Sequence, residues 1–423
     1  MPAMVRAVTF VSQFNALPWE SWLTLARSTS TDEVLRTVAQ PESLTLEDFA
    51  RLLSPAASSQ LEALARRSQA LTRQRFGRVI RLFAPLYLSN ECVNNCQYCG
   101  FSRDNPIRRV TLDQDEVRRE GQALAAQGFR NVLLVAGEHP KFVSNGYLET
   151  SVKTLREMIP SVSLEVGPME REAYSRLVEC GAEGLVVYQE TYDRPVYAEM
   201  HTAGPKRDFD WRLETPERAY AAGFRRLGIG ALFGLSDWRR EAMALAAQAL
   251  YLTKQCWKAQ ITISLPRLRP CAGQFEPRFT LSDRELTQLV CAFRLLLPDA
   301  GLVLSTREPE ALRDGLIPLG VTLMSAGSHT EPGGYTGAGQ DRIHYTQRGR
   351  VIALADGSSE WAQQNEGTAG ATGQFDIADH RSPAEMAERL RSMGYEPVWK
   401  DWEWALAPGA MEASPLPVST SDS

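Results

Sequence analysis

The chain has 423 residues, 43% of them hydrophobic and 23% charged, with a net charge of -5 at neutral pH. That is the balance of a globular protein able to bury a large core, and the acidic excess argues against the basic footprint of a nucleic-acid binder. No stretch of about 18 apolar residues offers a membrane span. MPAMVRAVTF has no apolar core of the kind a signal peptide needs. The seven cysteines are neither dense nor even in number, against a disulfide scaffold. Reduced thiols and a cytoplasmic setting are the expectation.

Residues 1–78 read as a polar helical extension: TLEDFARLLS and QLEALARRSQALTRQRFG place apolar residues at helical spacing, and Thr45 with Asp48 forms a capping box. From residue 79 to 330, short apolar runs alternate with amphipathic stretches. The predicted strands are Leu82–Leu88, Val132–Ala136, Val162–Val166, Leu185–Tyr188, Arg226–Gly230, Gln260–Leu265, Leu302–Ser305 and Thr322–Ser325. Gly128 and Gly181 sit where helix C-caps belong. Eight strands with helical crossovers predict an α/β fold, a closed (β/α)8 TIM-type barrel, with a doubly wound open sheet as the alternative. Residues 331–372 read as a polar insertion loop. Residues 373–405 hold a helix capped at Ser382 and a Trp-rich segment completing the barrel, and 406–423 a disordered Pro/Ser-rich tail.

In such a barrel the chemistry sits on the loops leaving the C-terminal strand ends. The first of these carries YLSNECVNNCQYCGF, with Cys92, Cys96 and Cys99 spaced to hold three corners of a cubane iron–sulfur cluster. A zinc site wants a fourth protein ligand, and the nearest histidine, His139, lies far along the chain. Three thiolates leave one iron open, which favours catalysis over an electron carrier or scaffold. Arg307, in STRE after the seventh strand, can hold a carboxylate by a bidentate fork with Ser305 beside it; Arg267 and Arg269 compete for that role. Cys180, Cys256 and Cys291 read as core thiols, while Cys271 stays open.

The triplet, with aromatic Tyr98 before its last cysteine, resembles that of the radical S-adenosylmethionine (SAM) enzymes. The stretches LLVAGEHPK, LEVGPMEREAY, VVYQETYD, LGIGALFGLSDWR, STREPEALRD and SAGSHTEPGGY are similar to the aromatic amino-acid lyase branch of that family. The likeness is nearest to the tyrosine lyases of thiamine biosynthesis, and runs from about Phe49 to Trp402. It implies a [4Fe–4S] cluster, SAM as cofactor, and cleavage of the Cα–Cβ bond of L-tyrosine to 2-iminoacetate and p-cresol. It also implies a complex with thiazole synthase and a flavodoxin- or ferredoxin-type reductant.

On the same footing Gly137–Glu138 is expected to meet the SAM amino group. Tyr98, Glu165, Glu190, Arg212, Gly228 and Gly230 are expected around the cofactor, and Tyr192 with Arg307 and Ser305 at the substrate. A departure is an insertion of roughly 30 residues before Gln374. Rival readings are a tryptophan lyase of the same branch and the tyrosine lyase of hydrogenase maturation. The latter needs a C-terminal cysteine site, and no cysteine follows Cys291.

Overall fold

The computed structural model describes residues 9–40, 43–144, 146–352 and 370–399. The strands, in chain order, are β1 (Val79–Ser89), β2 (Asn95–Cys96), β3 (Ile107–Arg109), β4 (Asn131–Ala136), β5 (Ser161–Glu165), β6 (Gly184–Val186) and β7 (His201–Ala203). They continue as β8 (Arg226–Gly230), β9 (Gln260–Ser264), β10 (Gly301–Leu304), β11 (Leu323–Ser325), β12 (His344–Gln347), β13 (Arg350–Ile352) and β14 (Glu396–Val398). Eight of them, β1-β4-β5-β6-β8-β9-β10-β11, run parallel and close where β11 pairs back onto β1, Leu82 opposite Met324. The closed barrel is the architecture the alternation predicts; each strand's apolar run is buried against the crossover helices outside and its partners inside.

β1 begins three residues before the apolar run does, because its start has two partners. β11 takes Arg81–Phe83, and β14 joins as a ninth strand at Val79–Arg81, outside the closed ring. The N-terminal helices lie against the barrel's outer helices: Phe49 meets Phe293 at 4.9 Å between ring centroids, and the Gln288 amide donates to the carbonyls of Leu52 and Ser54. The caps read from sequence at Thr45 and Ser382 form, each as a capping box with Asp48 or Glu385 in which each side chain accepts from the other's backbone N–H.

Within the 331–372 segment read as a loop, β12 and β13 form a hairpin that pairs with β3. Residues 353–369, and the 406–423 tail, lie outside the described residues. After that gap, residues 372–379 run across the C-terminal mouth of the barrel as a strap. Thr372 N–H donates to Arg108, Gln374 to Thr330, Asp376 to Pro270 and Ala378 to Thr306, while Gly100 N–H donates to the Gln374 carbonyl.

The strap is anchored at Asp379, whose fully buried carboxylate pairs with Arg313 and Arg381; Arg313 also donates to the Ser325 carbonyl at the end of β11. Asp379→Ala leaves the buried Arg313 charge without its carboxylate partner and is expected to cost about 3–5 kcal/mol in urea unfolding. Burial pushes the Asp379 carboxyl up, but Arg381 and Arg313 outweigh it and hold it below the usual range. Its contribution is therefore present above about pH 4 and lost as pH falls through the folded-state value.

Candidate active site

Ser89 ends β1, and the next dozen residues fold back over the barrel mouth. The turn is stapled by Arg109, which is 1% exposed. Its guanidinium donates to the carbonyls of Asn90, Phe101 (3.1 Å) and Ser102 (2.7 Å), and to Thr346 Oγ1 on the hairpin (2.6 Å). A fork with five donors meets this run of carbonyls, with no carboxylate partner among the described residues. The loop so held brings Cys92, Cys96 and Cys99 onto one cavity of about 600 Å³, open to solvent and bordered also by Asn94, Gly137, Glu138, Glu165, Gly167, Glu190, Lys206 and Arg212.

The donor set fits a cluster held by three thiolates. Asn94 Nδ2 lies 3.7 Å from Cys92 Sγ and Gln374 Nε2 3.8 Å from Cys99 Sγ, the N–H to sulfur contacts that tune cluster thiolates. Burial pushes the Cys96 and Cys99 thiols up, so the thiolates form as iron displaces their protons. Among the described residues no three His, Cys, Asp or Glu side chains converge on a single ion; a cubane would instead take the three thiolates on three separate irons. Anaerobic reconstitution is expected to load about four irons per chain, as one cubane requires. A value near eight, with a second paramagnetic signal, would point to a further cluster.

The predicted residues divide. Gly137 is required by the loop: a Cβ there would stand 2.2 Å from the Glu91 carbonyl and 3.2 Å from Cys92 Cβ. Glu138 beside it accepts from Asn94 Nδ2 at 2.7 Å and faces the cavity, with Gly167 leaving it room. Glu190 pairs with Lys206 at 2.7 Å and Arg212 at 3.4 Å; burial pushes its carboxyl up, but the two cations outweigh this and hold it below the usual range. Arg212 also donates to the Tyr188 carbonyl at 2.7 Å.

Glu190 has φ 71, an uncommon left-handed backbone. That break in strand alternation corrects one expectation. Tyr192 turns away from the mouth: it is 1% exposed, its hydroxyl donates to Gln248 and its N–H to Glu241, both on the outer helix Trp238–Gln255. Tyr98 likewise backs the loop and does not border the cavity. Its hydroxyl meets His201 Nε2 at 2.7 Å, and because His201 Nδ1 faces the Tyr197 carbonyl, Nδ1 carries the hydrogen and Nε2 accepts. Gly228 and Gly230 do not border the cysteine cavity either; the room they leave is taken by Val186, Thr262 and the Tyr188 ring.

A second cavity, about 720 Å³, opens beside the first and shares Val135, Glu165 and Gln374 with it. Its walls are mainly apolar, among them Phe83, Leu133, Val303, Leu304 and Phe375, and its size suits a small-molecule site. Arg307 and Ser305 border it. The Arg307 guanidinium stacks 3.4 Å over Phe375 and, among the described residues, has no hydrogen bond or ion pair of its own. Its rivals are committed elsewhere: Arg267 to Glu308 and Asp283, Arg269 to the Asp376 carbonyl.

Sequence reading missed Lys206, Asn94, Tyr87, Gln374 and Phe375. Lys206 stands in GPKRDFDW, where nothing local marks it. Gln374 and Phe375 owe their places to the strap; Gln374 Oε1 accepts from Tyr87 at 2.8 Å while its amide faces Cys99.

Residues 86–247 match the radical SAM superfamily and 264–396 the biotin and thiamin synthesis associated domain. The chain is 42% identical over 396 residues to 2-iminoacetate synthase of Escherichia coli K12, covering 93% of this chain and 97% of that one. It is 41% identical over the same length to the Salmonella typhimurium enzyme. Among solved structures, HydG, a maturase of the [FeFe]-hydrogenase, superposes with a TM-score of 0.79 at 31% identity over 90% of this chain and 79% of that one. A parallel eight-stranded barrel with three loop cysteines on one mouth cavity defines a radical SAM enzyme, which uses a [4Fe–4S] cluster and SAM. Within that class, the chain belongs to the 2-iminoacetate synthase family, the radical SAM carbon–carbon lyases of thiamine biosynthesis. No described helix is long and apolar enough to cross a membrane.

Proposed function

We infer that this chain cleaves the Cα–Cβ bond of L-tyrosine, releasing p-cresol and 2-iminoacetate for the thiazole ring of thiamine. The observation that carries the reading is the pair of adjoining cavities: cysteines border one, an unpaired Arg307 stands on the wall of the other, and Glu165 and Gln374 lie between them. The cluster and SAM, when bound and reduced, supply a 5′-deoxyadenosyl radical able to take a hydrogen atom from the substrate. Cys92, Cys96 and Cys99 hold the cluster; Glu138, Glu190 with Lys206, and Arg212 surround the cofactor. Arg307 neutralises the substrate carboxylate and fixes its orientation by two parallel hydrogen bonds, with Ser305 as a neighbouring donor. The apolar wall packs the aromatic ring and excludes water, which would hydrolyse the imine product to glyoxylate and ammonia.

Thiazole synthase as receiver of the imine, a flavodoxin- or ferredoxin-type electron donor, and a reducing cytoplasm complete the reading. Anaerobic incubation of reconstituted protein with SAM and dithionite tests it. Tyrosine is expected to give p-cresol and glyoxylate while tryptophan gives no indole product. Turnover of tryptophan alone would reassign the substrate.

A further inference from the structure

Tyrosine enters a site as a zwitterion, so a cation for its carboxylate answers half of the recognition problem. The other half is an ammonium that must lose its water on entering a mainly apolar cavity, which is costly for a charge without a partner. Glu165 occupies the place where that partner is needed. It ends β5, and its carboxylate borders both the substrate cavity and the cysteine cavity.

The groups around Glu165 leave it available. Lys206 and Arg212 face it but are spent on Glu190, at 2.7 and 3.4 Å. Glu190 repels it, Tyr188 and Tyr87 flank it, and Arg307 attracts it from the substrate cavity. Among the described residues the Glu165 carboxylate makes no hydrogen bond and no ion pair. One mainly apolar cavity therefore carries an unpartnered carboxylate and an unpartnered guanidinium, with the carboxylate on the side that opens toward the cysteines.

We propose that Glu165 binds the substrate ammonium opposite Arg307 and takes one proton from it, so that the amino group is neutral when its hydrogen atom is removed. The inference rests on the tyrosine-lyase reading and deepens it. The step is a proton transfer alone: R–NH3+ and the carboxylate give R–NH2 and the carboxylic acid, and no oxidant or reductant is consumed. Neutrality matters because removing a hydrogen atom from an ammonium leaves a nitrogen radical still bearing positive charge, whereas an amine gives a neutral one. Burial, with Glu190 adding to it, raises the Glu165 carboxyl to about 7. That brings it much nearer in acidity to an amino acid's ammonium than an ordinary glutamate near 4.3, which would hold the proton poorly.

Three ligands separate the two ends of the clamp: L-tyrosine, 3-(4-hydroxyphenyl)propanoate, which has no amine, and tyramine, which has no carboxylate. Their affinities are to be measured by anaerobic equilibrium dialysis against the reconstituted holoenzyme. Glu165→Gln is expected to weaken tyrosine and tyramine by roughly 10- to 100-fold, the worth of a charged contact, and to leave the propanoate unchanged. Arg307→Gln is expected to do the reverse, sparing tyramine. Iron content and SAM binding of Glu165→Gln should match wild type, while its p-cresol output falls at least as far as its tyrosine affinity. Glu165→Asp, which keeps the charge, should recover part of the loss.

Equal weakening of all three ligands by Glu165→Gln, or loss of SAM binding with tyrosine unaffected, would overturn the assignment. Wild-type p-cresol from Glu165→Gln would do so too. Absence of p-cresol from the wild-type protein would instead be the failure of the tyrosine reading.

Discussion

Cys96→Ala is expected to abolish both the cluster absorbance and SAM cleavage, with Cys180→Ala keeping both near wild type. The two cysteines differ in where the fold puts them, not in chemistry. Cys96 lies in β2, buried on the loop that Arg109 staples, and shares its cavity with Cys92 and Cys99. Cys180 caps the crossover helix Arg171–Glu179 and does not border that cavity. Losing Cys96 leaves two ligands for a cluster that needs three from the protein, and a residual cluster on two thiolates is prone to lose iron. The measurement is iron content, visible absorbance and 5′-deoxyadenosine after anaerobic reconstitution. A Cys96→Ala protein that still cleaves SAM would remove the ligand assignment and with it the catalytic centre described above.

Arg307→Lys is the second large effect, and it separates binding of cofactor from control of substrate. Lysine keeps the charge but loses the planar fork that fixes a carboxylate in one orientation. It also gives up the flat stacking on Phe375 seen at 3.4 Å. Losing one charge-assisted contact is worth about 1.5–3 kcal/mol in binding. The larger consequence is positional, because a misplacement of about 1 Å at a reacting centre can cost on the order of a hundredfold in rate. The variant is expected to bind SAM normally and to release p-cresol and glyoxylate at roughly a hundredth of the wild-type rate, with uncoupled 5′-deoxyadenosine persisting. Neither rival arginine is placed to compensate: Arg267 is held by Glu308 at 3.0 Å and by Asp283 at 2.8 Å, and Arg269 donates to the Asp376 carbonyl. Wild-type product levels from Arg307→Lys would show that the carboxylate is held elsewhere.

The strap over residues 372–379 makes the C-terminal segment part of the site. It links the loops that follow β1, β9, β10 and β11 through backbone hydrogen bonds. Its Phe375 supplies the face under Arg307, and its Gln374 touches both Tyr87 and Cys99.

The barrel and its cluster loop were legible in the chain because both are local signals. Eight apolar runs of strand length, each followed by a helical crossover, fix a parallel sheet, and three cysteines within eight positions mark a candidate ligand set. The capping boxes at Thr45 and Ser382 are equally local, a side chain and the backbone three residues on. Which polar groups share a cavity is a different kind of information. Tyr192 stands two residues after Glu190 and ought to follow it into the mouth, but the left-handed backbone at Glu190 turns it outward to Gln248. Arg267 and Arg307 are indistinguishable as sequence; only the position of Glu308 takes one and leaves the other unpaired. Lys206 and Gln374 become visible once Glu190 and Cys99 are beside them. Periodicity and spacing record what a residue does within a few positions of itself, whereas partnership across the mouth depends on contacts between residues 16 to 275 positions apart, and those exist only after the barrel has closed.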